Sequence, residues 1–383
     1  MKRSLCGITM TFLVAGGVIA ALCGCQVRPM TMGAASEVSV RGALMEVAGV
    51  PDQLTGITMS GQGRIFVNFP RWAGNPRWSV AELMSDGSLR PYPDEEWNHW
   101  DGGAADAGRH FVCVQSVYAD NKGFLWILDP ASPGFKGVIK GGAKLVKVDM
   151  TTNKVVQVIS FDETAAPRDS YLNDVRVDTL VETAYITDSG TGAIVVVDLE
   201  SGLARRLLSD HPSTKAEPGF VLKVDGKELV GEDGKAPRIN ADGIALDPDR
   251  KFLYYHALTA TTLYRIDTKY LRDATLLPAE LAGHVEKLGE TGPVDGMEMD
   301  RDYNLYVTSL EDNAIKRYRV YDGSLIRIAE NDLIQWPDSI SISPDNYLYF
   351  TASQINLMPR FNQGGDKRMP PYRIFRILLK PFE

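Results

Sequence analysis

Three aspartates, an asparagine, a glutamine and a threonine occupy equivalent places in a repeated unit, where together they could form one polar site. The unit occurs as LTGITMSGQGRIFVNF from Leu54, VQSVYADNKGFLWILD from Val114, LNDVRVDTLVETAYITD from Leu172, ADGIALDPDRKFLYYH from Ala241, VDGMEMDRDYNLYVTS from Val294 and PDSISISPDNYLYFTA from Pro337. The second residue of each copy is Thr55, Gln115, Asn173, Asp242, Asp295 or Asp338. Each carries a side-chain oxygen, although the strand that follows is apolar. Crowded carboxylates repel one another unless a cation or protons offset them. Such an oxygen set suits a hard ion such as Ca²⁺. It suits the ammonium group of a small ligand equally well. The competing structural reading is that Asp and Asn at the start of a strand satisfy nearby backbone N–H groups as Asx turns, with water filling the space between them.

Convergence of these side chains depends on the elements that carry them. Each copy reads as an alternating apolar strand, a turn carrying Gly, Asp or Asn in nearly every copy, and a second strand rich in aromatics, which is the pattern of a hairpin. Between the copies lie strands of another kind: SVAELMSDGSL, KLVKVDMTTNKVVQVI, AIVVVDLESGLARRLL, TLYRIDTKYL, AIKRYRVYDGSLIRIA and YRIFRILL. They supply third and fourth strands, so the units are four-stranded sheets. The expected fold is all-β, a six-bladed β-propeller with a central channel; an open β-solenoid is the alternative. The last unit offers only a third strand, while GALMEVAGV (Gly42–Val50) precedes the first hairpin without a partner. Pairing these two closes the ring and removes its exposed edges. In a propeller the start of the innermost strand faces the axis, which brings the six polar residues to one mouth of the channel. The next column, Gly56, Ser116, Asp174, Gly243, Gly296 and Ser339, is small or acidic, as close backbone packing near the axis requires.

Other candidates carry less. Trp97-Asn98-His99-Trp100-Asp101 either lines a ligand mouth or packs on a propeller face. His256 ends the YYH strand and reads more readily as a hydrogen-bonded structural histidine than as a catalyst. His211, in Asp210-His211-Pro212-Ser213, has no evident nucleophile beside it. Cys113, inside Phe111-Val112-Cys113-Val114, reads as a buried, inert thiol. No GxSxG elbow, HExxH helix, P-loop or dinucleotide-binding fingerprint occurs.

The chain starts with a short basic stretch (Lys2, Arg3), an apolar run to about Ala21, and Leu22-Cys23-Gly24-Cys25, which reads as a lipobox. Residues 1–24 are therefore expected to be a lipoprotein signal peptide. Cys25 is then the lipidated mature N-terminus, residues 25–41 a tether, and residues 42–383 a single propeller domain. An uncleaved transmembrane anchor is the alternative, for which the run is short. Both readings place the domain outside the cytoplasm, in contact with the membrane through its N-terminus only. Three of the four cysteines lie in the leader, so the fold contains no internal disulfide. The net charge is −8, and no long Lys/Arg run is present, which argues against nucleic acid as a partner. A monomer acting on a small molecule is the expected form.

KLVKVDMTTNKVVQVISF, YLNDVRVD, AYITDSGTGAIVVVDLESGLARRLL, DGIALDPDRKFLYYHALTATTLYRIDTKYL, DGMEMDRDYNLYVTSLEDNAIKRY and WPDSISISPDNYLYFTAS closely resemble the Yellow / major royal jelly protein family. The resemblance runs from about Leu44 to Phe382. It independently implies a six-bladed propeller, and the lipobox would place this chain among the bacterial members. It also implies a channel that binds a small ligand, since relatives include binders of biogenic amines and proposed dopachrome-converting enzymes. A more distant likeness is to the gluconolactonase / senescence-marker propellers, which hold a divalent ion with a Glu, two Asn and an Asp. Asn173 and Asp295 match one Asn and the Asp, Asp242 replaces the other Asn, and Thr55 stands where the Glu belongs. Three functions follow as expectations: a binder of a polar or cationic ligand, a Ca²⁺-assisted lactone hydrolase using Asp242 or Asp295 as general base, or a scaffold for a protein partner.

Overall fold

A computed structural model describes residues 44–379. The leader, the Cys25 lipidation site and the tether lie outside the described residues. Within them are six four-stranded antiparallel sheets and one two-stranded hairpin, Lys223–Val224 with Lys227–Glu228. The sheets form the blades of a propeller. Their inner strands are Ile57–Met59, Ser116–Ala119, Leu172–Asp178, Ala241–Leu246, Met297–Met299 and Pro337–Ile342, which we number as blades 1 to 6. In blades 1 to 5 the four strands follow in chain order. Blade 6 takes its outer strand from the other end of the chain: Met45–Val50 pairs antiparallel with Tyr372–Leu378, Val50 opposite Tyr372. The ring therefore closes as the unpaired N-terminal strand predicts. Among the described residues, no helix is long and apolar enough to cross a membrane.

Strand alternation places one apolar face of each blade against the next, and every blade-to-blade interface has its own core. Between blades 2 and 3, Trp126, Leu128 and Leu145 meet Val175, Val177 and Ile186. Comparable clusters join the remaining five pairs of neighbours. Cys113 is buried with Val112, Ala107 and Ala131, and burial pushes its thiol up to about 12, which matches the inert thiol expected.

The hairpin turns follow a rule that separates structural acids from available ones. Five positions after each ring residue stands Ser60, Asp120, Asp178, Asp247, Asp300 or Ser343. Each accepts backbone N–H groups of its own turn, as Asp120 Oδ1 does from Lys122 and Phe124. These local bonds offset the strain of a left-handed residue in the turn, which is glycine in blades 1 and 2 but Glu182, Arg250, Tyr303 and Asn346 in the others.

Near the axis the blades approach within backbone contact. A Cβ on Gly243 would stand 2.4 Å from the carbonyl oxygen of Asp295, and one on Gly296 would stand 2.0 Å from that of Asp338. Side chains of second strands then bond across to the next blade. Thr187 Oγ1 donates to Asp242 O (2.6 Å), Thr351 Oγ1 to Thr55 O (2.7 Å) and Asn68 Nδ2 to Val114 O (3.0 Å). Gly296→Ala is expected to destabilise the protein by about 1–3 kcal/mol or more, the typical range for overpacking. Gly61→Ala, where an added Cβ meets nothing within 4 Å, serves as the control. Equal urea midpoints for the two variants would refute this account of the axis.

Candidate functional site

Three of the six ring residues reach the axis through β-bulges. Pairing registers shift between Leu172 and Val175, between Ala241 and Ile244, and between Pro337 and Ile340. A bulge inserts an unpaired residue and re-aims side chains, and here the bulged residues are Asn173-Asp174, Asp242-Gly243 and Asp338-Ser339. In blades 1, 2 and 5 the ring residue instead lies just before the regular strand begins.

Five of the six then line one cavity of about 220 Å³: Gln115, Asn173, Asp242, Asp295 and Asp338. All five are buried at its floor. Thr55 does not join them. Its hydroxyl donates to Gln115 O (3.1 Å) and accepts from Asn68 Nδ2 (2.8 Å), so it is consumed in holding blade 1 to blade 2. His256 also stays away from the cavity. It is wholly buried, Nδ1 lies 2.7 Å from Ala257 O, and burial lowers its imidazole to about 4, leaving it neutral and structural. The Trp97–Asp101 loop packs on the body of the propeller, with Asn98 accepting from the Ser79 and Val80 amides and donating to Tyr92 O and Asp94 O. His211 contacts Ser213 (Nδ1 to Oγ, 2.7 Å), whose hydroxyl meets the Tyr255 hydroxyl at 2.7 Å, but Ser213 is buried away from the cavity.

The carboxyls at the floor are held in a network that favours protons. Asn173 Nδ2 donates to Asp242 Oδ1 (2.7 Å), and Trp336 Nε1 donates to Asp295 Oδ2 (2.7 Å). Asp242 and Asp295 also bond each other through their side chains. Burial raises Asp242 well above the usual carboxylate range, helped by the charges of Asp295, Asp174 and Asp338. Burial likewise raises Asp338, reinforced by Asp295 and Asp174. Asp295 is pushed up to about 7 by burial, against the pull of its bonds from Asp242 and Trp336. Burial and mutual repulsion thus hold these carboxyls toward their protonated forms.

The walls were not singled out from the sequence. Trp72, Phe135, Tyr171, Trp336 and Phe361 supply aromatic faces, and Ile239, Leu258, Ile355 and Met358 supply aliphatic ones. Trp72 Nε1 donates to the Tyr171 hydroxyl (2.6 Å), which donates onward to Gln115 Oε1 (3.0 Å). Phe135 lies between them, its ring centroid 5.1 Å from that of Trp72 and 5.3 Å from that of Tyr171. Tyr171 and Trp336 each stand two residues before a ring position, so extending the repeat alignment by one column would have found them. Trp72, Phe135 and Phe361 come from loops and leave no periodic signal.

Further along the inner strands the channel narrows to about 10 Å³, room for a single water. Asp174, Arg176, Glu298 and Tyr118 line this second level. Arg176 Nη2 lies 3.5 Å from Glu298 Oε2 and donates to Met297 O, while Asp174 is raised by burial and relieved by Arg176 and Ser116.

The donor set does not fit the divalent site implied by the gluconolactonase likeness. The Thr55 oxygen is committed to Gln115 and Asn68 away from the cavity, and N–H donors of Asn173 and Trp336 are aimed at the two carboxylates. Among the described residues, no group of three or more His, Cys, Asp or Glu is arranged to hold a metal ion.

Comparison with known proteins resolves the relationship. The family description Major royal jelly protein matches residues 112–374. This chain belongs to that family. Major royal jelly protein 5 of Apis mellifera is 25% identical over 225 residues, covering 54% of this chain and 34% of the relative. Major royal jelly protein 1 of the same organism is 25% identical over 232 residues, covering 55% and 49%. The match thus spans between a third and a half of the length of these relatives. Solved propellers share the fold at low identity. A gluconolactonase from Xanthomonas campestris aligns with a TM-score of 0.54 and 12% identity, over 90% of this chain and 93% of its own. A streptogramin B lyase aligns at 0.51 and 15%, over 90% and 100%. A royal-jelly-family chain therefore shares its architecture with enzymes of unrelated chemistry, and its own function must be argued from its site.

Two measurements test the site. Asp295 keeps a proton that the unfolded chain gives up in the ordinary aspartate range. Its stabilisation is complete below about pH 4 and is lost as pH rises through about 7. The melting temperature of wild type minus that of Asp295→Asn should therefore fall between pH 4.5 and 8; a constant difference would count against the raised carboxyl. Chelator-treated protein should melt at the same temperature with and without millimolar Ca²⁺, and a dose-dependent rise would overturn the metal assessment.

Proposed function

We propose that this royal-jelly-family propeller binds a small cationic ligand, an organic ammonium, in its central cavity, and that a lipid on Cys25 holds it at the cell envelope. The observation that carries the reading is the meeting of Asp242, Asp295 and Asp338 at the floor of an aromatic-walled cavity. Desolvation and mutual repulsion keep these carboxyls protonated above their usual range. An ammonium arriving at the floor supplies the missing positive charge. Asp295, the least raised of the three, takes the ionic partner role, and a proton leaves for solvent as the ammonium enters. Trp72, Tyr171 and Trp336 offer π faces for cation and ring contacts, each worth about 0.5–2 kcal/mol. The lipid anchor rests on Leu22-Cys23-Gly24-Cys25. Binding of amines by relatives, implied by the family resemblance, supports the same reading.

Because binding requires ionised carboxylates and a protonated amine, affinity should strengthen as pH rises from about 5.5 to 7.5. Phenethylamine is a suitable probe, with phenethyl alcohol as its uncharged counterpart. Calorimetric titration of the full-length protein should show binding of the amine alone, and Asp242→Asn/Asp295→Asn should weaken it by at least about tenfold. Indifference to a panel of arylalkyl amines, or equal binding of the alcohol, would sink the proposal.

A further inference from the structure

Two cations at the mouth of the same cavity have no role in binding an ammonium. Arg238 and Arg360 both line the cavity and are exposed, whereas the carboxyls at its floor are buried. Among the described residues, neither guanidinium forms an ion pair. Arg238 donates to the backbone carbonyls of Glu217 and Ala216. Arg360 makes no hydrogen bond among the described residues, although Tyr171 and Glu232 are near enough to act on its charge. Its guanidinium carbon lies 4.4 Å from the Phe135 ring centroid and 5.0 Å from that of Phe361. Cation–π contact with two rings holds the guanidinium in place, and among the described residues no acceptor takes its N–H groups. An Arg held in this way is preorganised for a planar anion, most simply a carboxylate bound through two parallel N–H···O bonds.

The cavity is thus polarised along its depth: carboxyls at the floor, aromatic faces in the middle, two guanidiniums at the mouth. Resting on the ammonium reading above, we infer that the ligand is an elongated zwitterion, with its ammonium at the ring of aspartates, a flat body against Phe135, Tyr171 and Trp336, and its carboxylate on Arg360 and Arg238. A bare amine satisfies only the floor, and a bare acid would satisfy only the mouth. A cavity of about 220 Å³ accommodates a body on the order of ten non-hydrogen atoms. The charges must sit at opposite ends of that body, which favours an amino acid whose two groups are separated by a ring over one bearing both on a single carbon.

Three probes with one shared ring test this: 4-(2-aminoethyl)benzoate, phenethylamine and 4-ethylbenzoate, titrated calorimetrically into the full-length protein at pH 7.5. The zwitterion is expected to bind about tenfold or more tightly than phenethylamine, the increment of one charge-assisted bidentate contact. Arg360→Met, which keeps the stacked apolar stem, should reduce that advantage to less than about threefold while leaving phenethylamine affinity unchanged. Arg238→Met should reduce it in part. Equal binding of the zwitterion and phenethylamine would overturn the anion subsite and leave the ammonium site standing. Binding of 4-ethylbenzoate alone would overturn the ammonium site and with it the zwitterion, and binding of none of the three would overturn both subsites.

Discussion

Six sheets can share one axis only if their innermost backbones come within contact of each other. Gly243 and Gly296 meet that requirement by having no Cβ where the carbonyls of Asp295 and Asp338 pass. At other junctions Thr187, Thr351 and Asn68 each add a hydrogen bond to the neighbouring blade. The bonded carbonyls belong to ring residues or their immediate neighbours, so the contacts that close the propeller also set where the ring side chains stand. The six interblade cores supply the apolar burial that keeps the sheets together. Placement of the carboxyls therefore follows from closure together with the β-bulges that aim Asp242 and Asp338.

Closure imposes a cost that the rest of the structure must carry. Carboxyls forced together in a buried place either retain protons or find a cation. The hydrogen bonds from Asn173 and Trp336 relieve part of the repulsion, and retained protons relieve more. Ionisation of these carboxyls therefore lowers stability, and in the reading proposed above a bound cation would restore the loss by mass action. Destabilised functional sites supported by a rigid frame are a general pattern. Here the frame is the ring of β-sheets, and Asp174 at the next level of the channel adds to the same repulsion.

Most of the fold was legible because propeller architecture is written in periodic features. Alternation of apolar residues gave the strands, the Asp and Gly turns gave the hairpins, and sixfold recurrence gave the blades. The unpaired Gly42–Val50 segment pointed to ring closure, realised as Met45–Val50 beside Tyr372–Leu378. The ring column was legible for the same reason, five of its six members lining the cavity. Thr55 escaped because alignment fixes where a side chain starts, not which neighbour it bonds: Asn68 and the Gln115 carbonyl claim its hydroxyl. Trp72, Phe135 and Arg360 escaped because they sit in loops whose lengths differ from blade to blade. Their convergence depends on three-dimensional routing that no repeat encodes.

The division between floor and wall explains how one architecture hosts different chemistries. The propellers that share this fold include a gluconolactonase, a streptogramin B lyase and an aldose sugar dehydrogenase in its PQQ-bound form. In this ring the inner strands deliver a few side chains to the axis. In this chain those residues are acids held by amide and indole donors, and Thr55 stands where the gluconolactonase likeness calls for a carboxylate. The loops above them carry rings and guanidiniums. Floor and wall arise from different parts of the sequence, the acids from repeated strand starts, and Trp72, Phe135 and Arg360 from loops. In the reading proposed above the two select one ligand chemistry, since an ammonium answers the acids and a carboxylate answers Arg360.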